Sequence, residues 1–345
     1  MVSLTINNRE TSVPANTTIL EAARNLGIYI PTLCHHKRLP PIGSCNLCLV
    51  EIQGRPEPVN ACSTPVEPGM VVITDSKALH EKRLSNLKKI LKHHALDCPI
   101  CDQAGECDLQ DVIYRLGVKD VPFEPRPEPR VPQHPTSLIR YWPERCILCY
   151  RCVTACNSIK GIGAIGVSSN GDDSQIVVVD ADKCQSCGEC LFVCPTGALT
   201  ENLSRYKGRP WLEKRVETTC TYCGCGCQLQ LRVMDNRVIG VTTDVDRGVN
   251  RGSLCVKGRF GYEFIGDDAR LKTPLIKENG RFREAGWDEA LDLVAEKLSS
   301  IKKEYGPDSI AGLTSAKCTN EENYLFQKFM RAVIGTNNVD HCARL

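Results

Sequence analysis

An α+β chain of several small domains is the fold class the sequence predicts, on three observations. Short apolar runs bounded by turn residues (SLTIN, LVEIQG, MVVIT) alternate with stretches of helical period; cysteines fall into tight groups; and one cysteine unit occurs twice between residues 138 and 200. With 345 residues there is room for two to four domains, and 42% hydrophobic with 24% charged residues is the composition of a soluble globular protein. Lys plus Arg number 43 against 41 Asp plus Glu, so nothing calls for nucleic acid or an anionic membrane as partner. No stretch approaches the roughly 20 apolar residues of a membrane span, and MVSLTINNRE is neither a leader nor a twin-arginine signal. A cytoplasmic location is the expectation.

Residues 1–78 read as a small sheet with one helix, which begins near Thr18 with Thr18 and Glu21 in capping-box spacing. It carries Ile19, Ala22, Ala23 and Leu26 on its apolar face and ends at Gly27. A second helix, from about Ser76 to Leu96, has Leu84, Leu87 and Leu91 on one face and lysines on the other, and introduces a domain over 79–120. Residues 121–137 are an extended proline-rich linker, since proline at this density continues neither a helix nor an inner strand. The doubled unit occupies 138–206 and a further cysteine group 214–270. Residues 271–345 read as the opening of an α/β domain. A helix from Trp287 bears Leu291, Val294, Ala295, Leu298 and Ile301 and stops at Gly306 and Pro307; SIAGLT reads as a buried strand; and NEENYLFQKFMRAVIG reads as a helix with Leu325, Phe326, Phe329, Met330 and Val333 apolar. One strand and two helices cannot cover each other's apolar faces, so this domain is expected to be incomplete.

The 22 cysteines fall below the roughly 8–10% share of disulfide scaffolds, and in a reducing compartment metal binding is the better reading. Nineteen lie in ligand spacings; Cys225, Cys318 and Cys342 are left over, the last two read as buried thiols. Cys34, Cys45, Cys48 and Cys62 offer the four thiolates of a [2Fe–2S] cluster, with structural zinc as the alternative. Cys98, Cys101 and Cys107 are one ligand short of a cubane, and His93 or His94 can supply it. Cys146, Cys149, Cys152 and Cys156, and again Cys184, Cys187, Cys190 and Cys194, follow C-x2-C-x2-C-x3-C, which suits three corners of a cube better than the separated pairs of zinc. In such pairs the fourth cysteine serves the other cluster, which groups Cys146, Cys149 and Cys152 with Cys194, and Cys184, Cys187 and Cys190 with Cys156. Cys220, Cys223, Cys227 and Cys255 make a fifth set. One [2Fe–2S] and four [4Fe–4S] clusters are expected, in an α+β multidomain iron–sulfur protein.

Through residue 200, PTLCHHKRLPPIGSCNLCLVEI, HHALDCPICDQAGECDLQD and the doubled unit resemble the iron–sulfur region shared by the large complex I subunit, iron-only hydrogenases and NAD-linked formate dehydrogenases. The resemblance implies a ferredoxin-like [2Fe–2S] β-grasp domain, a small helical [4Fe–4S] domain in which His94 joins the three cysteines as ligand, and a two-[4Fe–4S] ferredoxin domain. TTCTYCGCGCQL and SLCVKGRFGYEF exclude the hydrogenase and resemble the first domain of molybdopterin oxidoreductases. That implies an α/β fold for bis-molybdopterin guanine dinucleotide with Mo or W, and places Lys257, otherwise an ordinary solvated lysine, on the electron path between cluster and pterin. Two intact repeats favour formate dehydrogenase over the complex I subunit. IGTNNVDHCARL resembles the segment just before the selenocysteine or cysteine of formate dehydrogenases, so the catalytic residue is expected immediately after Leu345, at a selenocysteine codon read as a stop. The 345 residues alone are then expected not to oxidise formate. The implied function is conversion between formate and CO2, with electrons passing by Lys257 and the Cys220 set, through the doubled unit, to the His94 and [2Fe–2S] centres. They leave to a flavin- and NAD(P)-binding diaphorase-type subunit, a ferredoxin or a hydrogenase. Two alternatives remain: a stand-alone electron-transfer subunit of a hydrogenase or complex I-like assembly, with Leu313, Phe326 and Phe329 covered by a partner, or another molybdopterin reductase.

Overall fold

The structure, a computed structural model, describes residues 1–121, 123–126, 130–168 and 174–342. Leu345, and residues 122 and 127–129 of the proline-rich linker, lie outside the described residues. The chain forms two compact units, Met1–Lys214 and Arg215–Leu345.

In the first unit, β1 (Val2–Ile6) and β2 (Arg9–Val13) form a hairpin that turns on Asn7 and Asn8, both at positive φ, a conformation asparagine tolerates. Helix α1 (Ile19–Asn25) has the expected capping box at Thr18 and Glu21, and Gly27 follows at φ 70°. Strands β3 (Leu49–Ile52), β4 (Val59–Asn60) and β5 (Val71–Ile73) complete a mixed sheet in the order β2-β1-β5-β3-β4, with β1 and β5 parallel. Period-2 alternation turns Leu4, Ile6, Val50, Ile52 and Val72 into one core with Ile19, Leu20, Ala22 and Ala23 of α1.

Helix α2 (Lys77–Leu91) is capped by the Ser76 hydroxyl and stops five residues short of the expected Leu96. The cause is the returning chain: the Glu124 amide donates to the Lys92 carbonyl at 2.7 Å, and the His93 ring Nδ1 donates to the Glu124 carbonyl at 2.8 Å. His93 and His94 therefore lie in a turn beyond the helix, where helical geometry does not set their directions. Helix α3 (Asp108–Arg115) packs Leu109 and Val112 on Leu87 and Leu91 in a core that also holds Cys34, Cys45, Cys107 and Cys149.

The doubled unit supplies β6 (Ile139–Tyr141), α4 (Arg151–Thr154), β7 (Ile165–Ser168), β8 (Gln175–Val178), α5 (Glu189–Val193) and β9 (Leu199–Glu201), with β6 paired to β9 and β7 to β8. Its duplication extends to the backbone. Leu148 and Ser186, both at φ 50°, hold corresponding places after the first cysteine of each repeat, as do Tyr150 at 60° and Gly188 at 71° before each helix. Left-handed backbone at leucine and tyrosine costs energy and persists only where surrounding contacts impose it. The linker is held down at Arg130, whose amide donates to Glu144 Oε1 at 2.7 Å, and at Gln133, which bridges to Tyr141.

Two buried charges tie these pieces together. Arg151, 5% exposed, donates to Asp108 at 3.0 Å, to the Val193 carbonyl at 3.3 Å and to the His35 carbonyl at 2.6 Å. Glu189, 1% exposed, pairs with Arg38 at 2.5 Å and with Lys160 at 3.5 Å.

In the second unit, β10 (Lys214–Thr219), β11 (Gln228–Met234) and β12 (Arg237–Thr242) form a three-stranded sheet followed by α6 (Val256–Phe260). A hairpin of β13 (Leu275–Glu278) and β14 (Arg281–Glu284) leads into α7 (Trp287–Tyr305), β15 (Gly312–Thr314), α8 (Asn320–Lys328) and β16 (Val339–His341). Two expectations are corrected here. SIAGLT is neither alone nor buried: β15 pairs in parallel with β16, and only Gly312 is covered, by Phe326 and Met330, while Leu313 is 79% exposed. Cys318 and Cys342 are exposed, because they sit on loops beside this two-stranded sheet with no layer over them among the described residues; the Cys342 sulfur lies 3.3 Å from the Ser315 hydroxyl. Leu291 and Val294 on α7 also face solvent. Among the described residues no helix is long and apolar enough to cross a membrane.

Replacing Arg151 by Met should lower the unfolding free energy of the first unit by about 3 kcal/mol, since it removes a buried charge that satisfies three acceptors on three segments. Denaturant unfolding of the full chain measures this.

Candidate metal centres

The first cysteine set comes together on the loops beside the five-stranded sheet. The Cys34 and Cys45 sulfurs lie 3.3 Å apart, Cys48 and Cys62 are hydrogen-bonded to each other, and all four are buried. Within each pair one thiol is made more acidic by its partner's hydrogen bond, Cys34 by Cys45 and Cys62 by Cys48, and the other is pushed up. Four sulfurs crowded into a dry site fit a group that supplies compensating positive charge, as two irons do.

The second set follows α2. Burial, helped by Arg145, takes His94 down to about 4, so its ring is neutral at physiological pH, the form that offers a lone pair to a metal. Its Nδ1 is buried with no hydrogen-bond partner among the described residues, whereas His93 spends its Nδ1 on the Glu124 carbonyl. Cys101 is raised by burial and shares Arg145 and Asp97 with His94 as charged neighbours; Cys107, nearby, is pushed by burial to about 12. His94 and Cys101 thus have the same two charged neighbours, and the orphaned imidazole nitrogen fits a fourth ligand position.

The doubled unit assembles across its repeats. Cys146, Cys149 and Cys152 are each raised, first by burial and then by the sulfurs around them, and the fourth sulfur all three feel is Cys194 from the second repeat. The Tyr141 hydroxyl is buried without a hydrogen-bond partner among the described residues, and burial, with the nearby Cys146 sulfur, keeps it protonated. In the other half, Cys184 and Cys190 line an apolar pocket with Tyr141, Ile165, Ile176 and Leu199, and the turn carrying Cys156 packs against α5. Cys190 also lies within the field of Cys152, so the two halves adjoin.

The fifth set is more open. The Cys220 amide donates to the Cys227 carbonyl at 2.8 Å, and the Cys227 thiol is raised by burial and by the charges of Cys225, Cys220, Cys223 and Cys255. Cys223 and Cys255 are exposed. Lys257, on α6 immediately after Cys255, lies near enough to Cys223 to favour its thiolate, behind hydrogen bonds from Cys225. Cys225, left outside the set by the sequence reading, shares its environment. Among the described residues no three His, Cys, Asp or Glu side chains converge on a single metal ion.

Sequence reasoning passed over four charged residues that line these sites: Arg145 and Asp97 beside His94 and Cys101, and Arg151 and Glu189 inside the doubled unit. The available signal was position, since Arg145, Arg151 and Glu189 each sit directly beside a cysteine of a motif that has to be buried.

Five family models match successive parts of the chain: a 2Fe-2S iron-sulfur cluster binding domain at residues 1–77, the NADH-ubiquinone oxidoreductase-G iron-sulfur binding region at 83–122, the NADH-quinone oxidoreductase subunit 3 ferredoxin-like domain at 136–200, the molybdopterin oxidoreductase Fe4S4 domain at 213–267 and molybdopterin oxidoreductase at 270–345. Among similar proteins, NADPH-Fe(3+) oxidoreductase subunit alpha of Geobacter sulfurreducens is 43% identical and a G-type NADH-quinone oxidoreductase subunit of Rhizobium meliloti 41%, each over 100% of this chain and 40% of the relative. A Staphylococcus aureus protein provisionally named a formate dehydrogenase is 32% identical over 99% of this chain and 39% of its own length. The chain thus spans about two fifths of the curated relatives it matches. A crystal structure of an NAD+-reducing [NiFe]-hydrogenase in the H2-reduced state matches 60% of this chain and 90% of the hydrogenase chain, at 29% identity and a TM-score of 0.55.

Substituting His94 by Ala should change the electron paramagnetic resonance spectrum of one cluster only, and substituting His93 should change none. Anaerobic metal analysis should find about 18 irons per chain, from one two-iron and four four-iron centres; fewer than about four, with zinc present, would overturn the cluster assignment.

Proposed function

Taking as premise the iron–sulfur and molybdopterin oxidoreductase architecture related to the G-type subunits of NADH-quinone oxidoreductases, we propose that this chain is the electron-transfer portion of a formate dehydrogenase. The ligands are the five sets named above, His94 included, and they hold one [2Fe–2S] and four [4Fe–4S] clusters. When bound, such clusters carry single electrons over potentials from about −700 to +450 mV. The observation that supports this most is the crossing of Cys194 onto Cys146, Cys149 and Cys152, an arrangement with no purpose in a zinc-stabilised chain.

The residues of the chain exclude water from the sulfurs, hold the His94 ring neutral, and keep the loops of the first unit in fixed positions through Arg151 and Glu189. Lys257, beside Cys223, is suited to stand between the fifth set and a pterin. The bis-molybdopterin guanine dinucleotide with Mo or W would supply two-electron chemistry at formate in the whole polypeptide. The acceptor is a flavin- and NAD(P)-binding subunit, a ferredoxin or a hydrogenase.

Formate as substrate is supported by the IGTNNVDHCARL segment and by the name of the Staphylococcus aureus relative. A second reading has its own support: the two more similar relatives named above are NADPH- and NADH-linked oxidoreductases, which favours electrons entering from a nicotinamide. With the whole polypeptide purified anaerobically, formate should bleach the cluster absorption without any nicotinamide present. Bleaching by NADPH or NADH through the flavin subunit, with formate inert, would replace the first reading with the second.

A further inference from the structure

Arg145 closes a one-turn 3-10 segment, Pro143–Arg145, immediately before Cys146, and is 1% exposed. Its Nε donates to both Asp97 carboxylate oxygens at 3.1 Å and its Nη2 to Oδ2 at 2.5 Å, while the guanidinium lies 4.2 Å from the centre of the Trp142 ring. Its own carbonyl accepts from the Thr196 hydroxyl at 2.9 Å, which locks the backbone. One nitrogen is left over: Nη1 is buried and has no hydrogen-bond partner among the described residues.

The surroundings identify what that nitrogen serves. A methyl group placed on Gly197 would come 2.3 Å from the Cys101 sulfur and 3.6 Å from Arg145 Cδ, so the arginine stem and that sulfur flank the same point of backbone. His94 and Cys101 both count Arg145 among their charged neighbours. Cys146, although next in sequence, is instead subject to Cys194 and Arg130. A buried guanidinium with an unused donor is costly unless an acceptor completes it. Cluster sulfur is such an acceptor, and positive charge or a hydrogen bond at a cluster stabilises its reduced, more negative state.

We propose that Arg145 tunes the reduction potential of the centre held by His94, Cys98, Cys101 and Cys107, its Nη1 donating to a sulfur of that centre, with Asp97 limiting how much of the charge the cluster feels. This rests on the ligand set assigned above. Arg145 raises the potential and Asp97 lowers it, so their removal has opposite signs.

Potentiometric titration followed by electron paramagnetic resonance tests this on the full chain with its iron content measured. Arg145→Gln should shift the oxidised-to-reduced ratio of the His94-dependent signal at least tenfold toward oxidised at a fixed ambient potential, about 59 mV for one electron. Asp97→Asn should shift it the other way, and Arg145→Lys should fall between Arg145→Gln and the unaltered protein. An unmoved signal at full iron content, or an equal shift of every cluster, overturns the proposal; if Arg145→Gln does not assemble, an Asp97→Asn shift toward oxidised, or none, does so. A His94→Ala spectrum identical to the unaltered one would instead overturn the ligand set on which the proposal stands.

Discussion

A charge buried in protein has to be met by acceptors, and in this chain the acceptors for Arg151 lie on three different segments: the His35 carbonyl beside the first cysteine set, Asp108 after Cys107, and the Val193 carbonyl next to Cys194. The relative positions of three of the cysteine sets therefore depend on one guanidinium. Arg145 and Glu189 repeat the device, the first joining the turn before Cys146 to Asp97, the second joining α5 to Arg38 and Lys160. Domains this small bury too little apolar surface to dock firmly by hydrophobic contact alone, and electron carriers have to keep their separations.

The sulfurs themselves are part of the packing. Cys34, Cys45, Cys107 and Cys149, from three different sets, share one core with Leu33, Leu87, Leu91 and Leu109. Burial, joined by repulsion between neighbouring sulfurs, raises most of these thiols, and crowding that disfavours free thiolates suits a cationic metal that compensates their charge. The second unit follows another rule. A parallel pair such as β15 and β16 is stable in an α/β fold when helices and further strands cover it, and here Leu313, Leu291 and Val294 remain open to solvent.

Much of this was legible in the residues. The capping box at Thr18, the α1 core face, the duplication at Cys146 and Cys184, and the helix from Trp287 are local patterns, carried by spacings of three, four or seven residues. The end of α2 was not legible, because it is set by Glu124, some thirty positions downstream, and the burial of Cys318 and Cys342 was misjudged because cysteine composition says nothing about whether a layer lies above a loop.

By itself the sequence determined how the cysteines are grouped along the chain, since their spacings are local and four thiolates at short spacings leave few chemical uses. The tertiary structure decided the rest: that the His94 ring is buried near Asp97 and Arg145 with its Nδ1 unpartnered while His93 turns its Nδ1 to the Glu124 carbonyl, that Cys194 comes close to the cysteines of the first repeat, and that Arg145 keeps a buried spare donor near Cys101. The reason is physical. Donor identity is covalent and local, whereas the direction of a ring, the burial of a charge and the field at a sulfur are set by groups brought together from far along the chain.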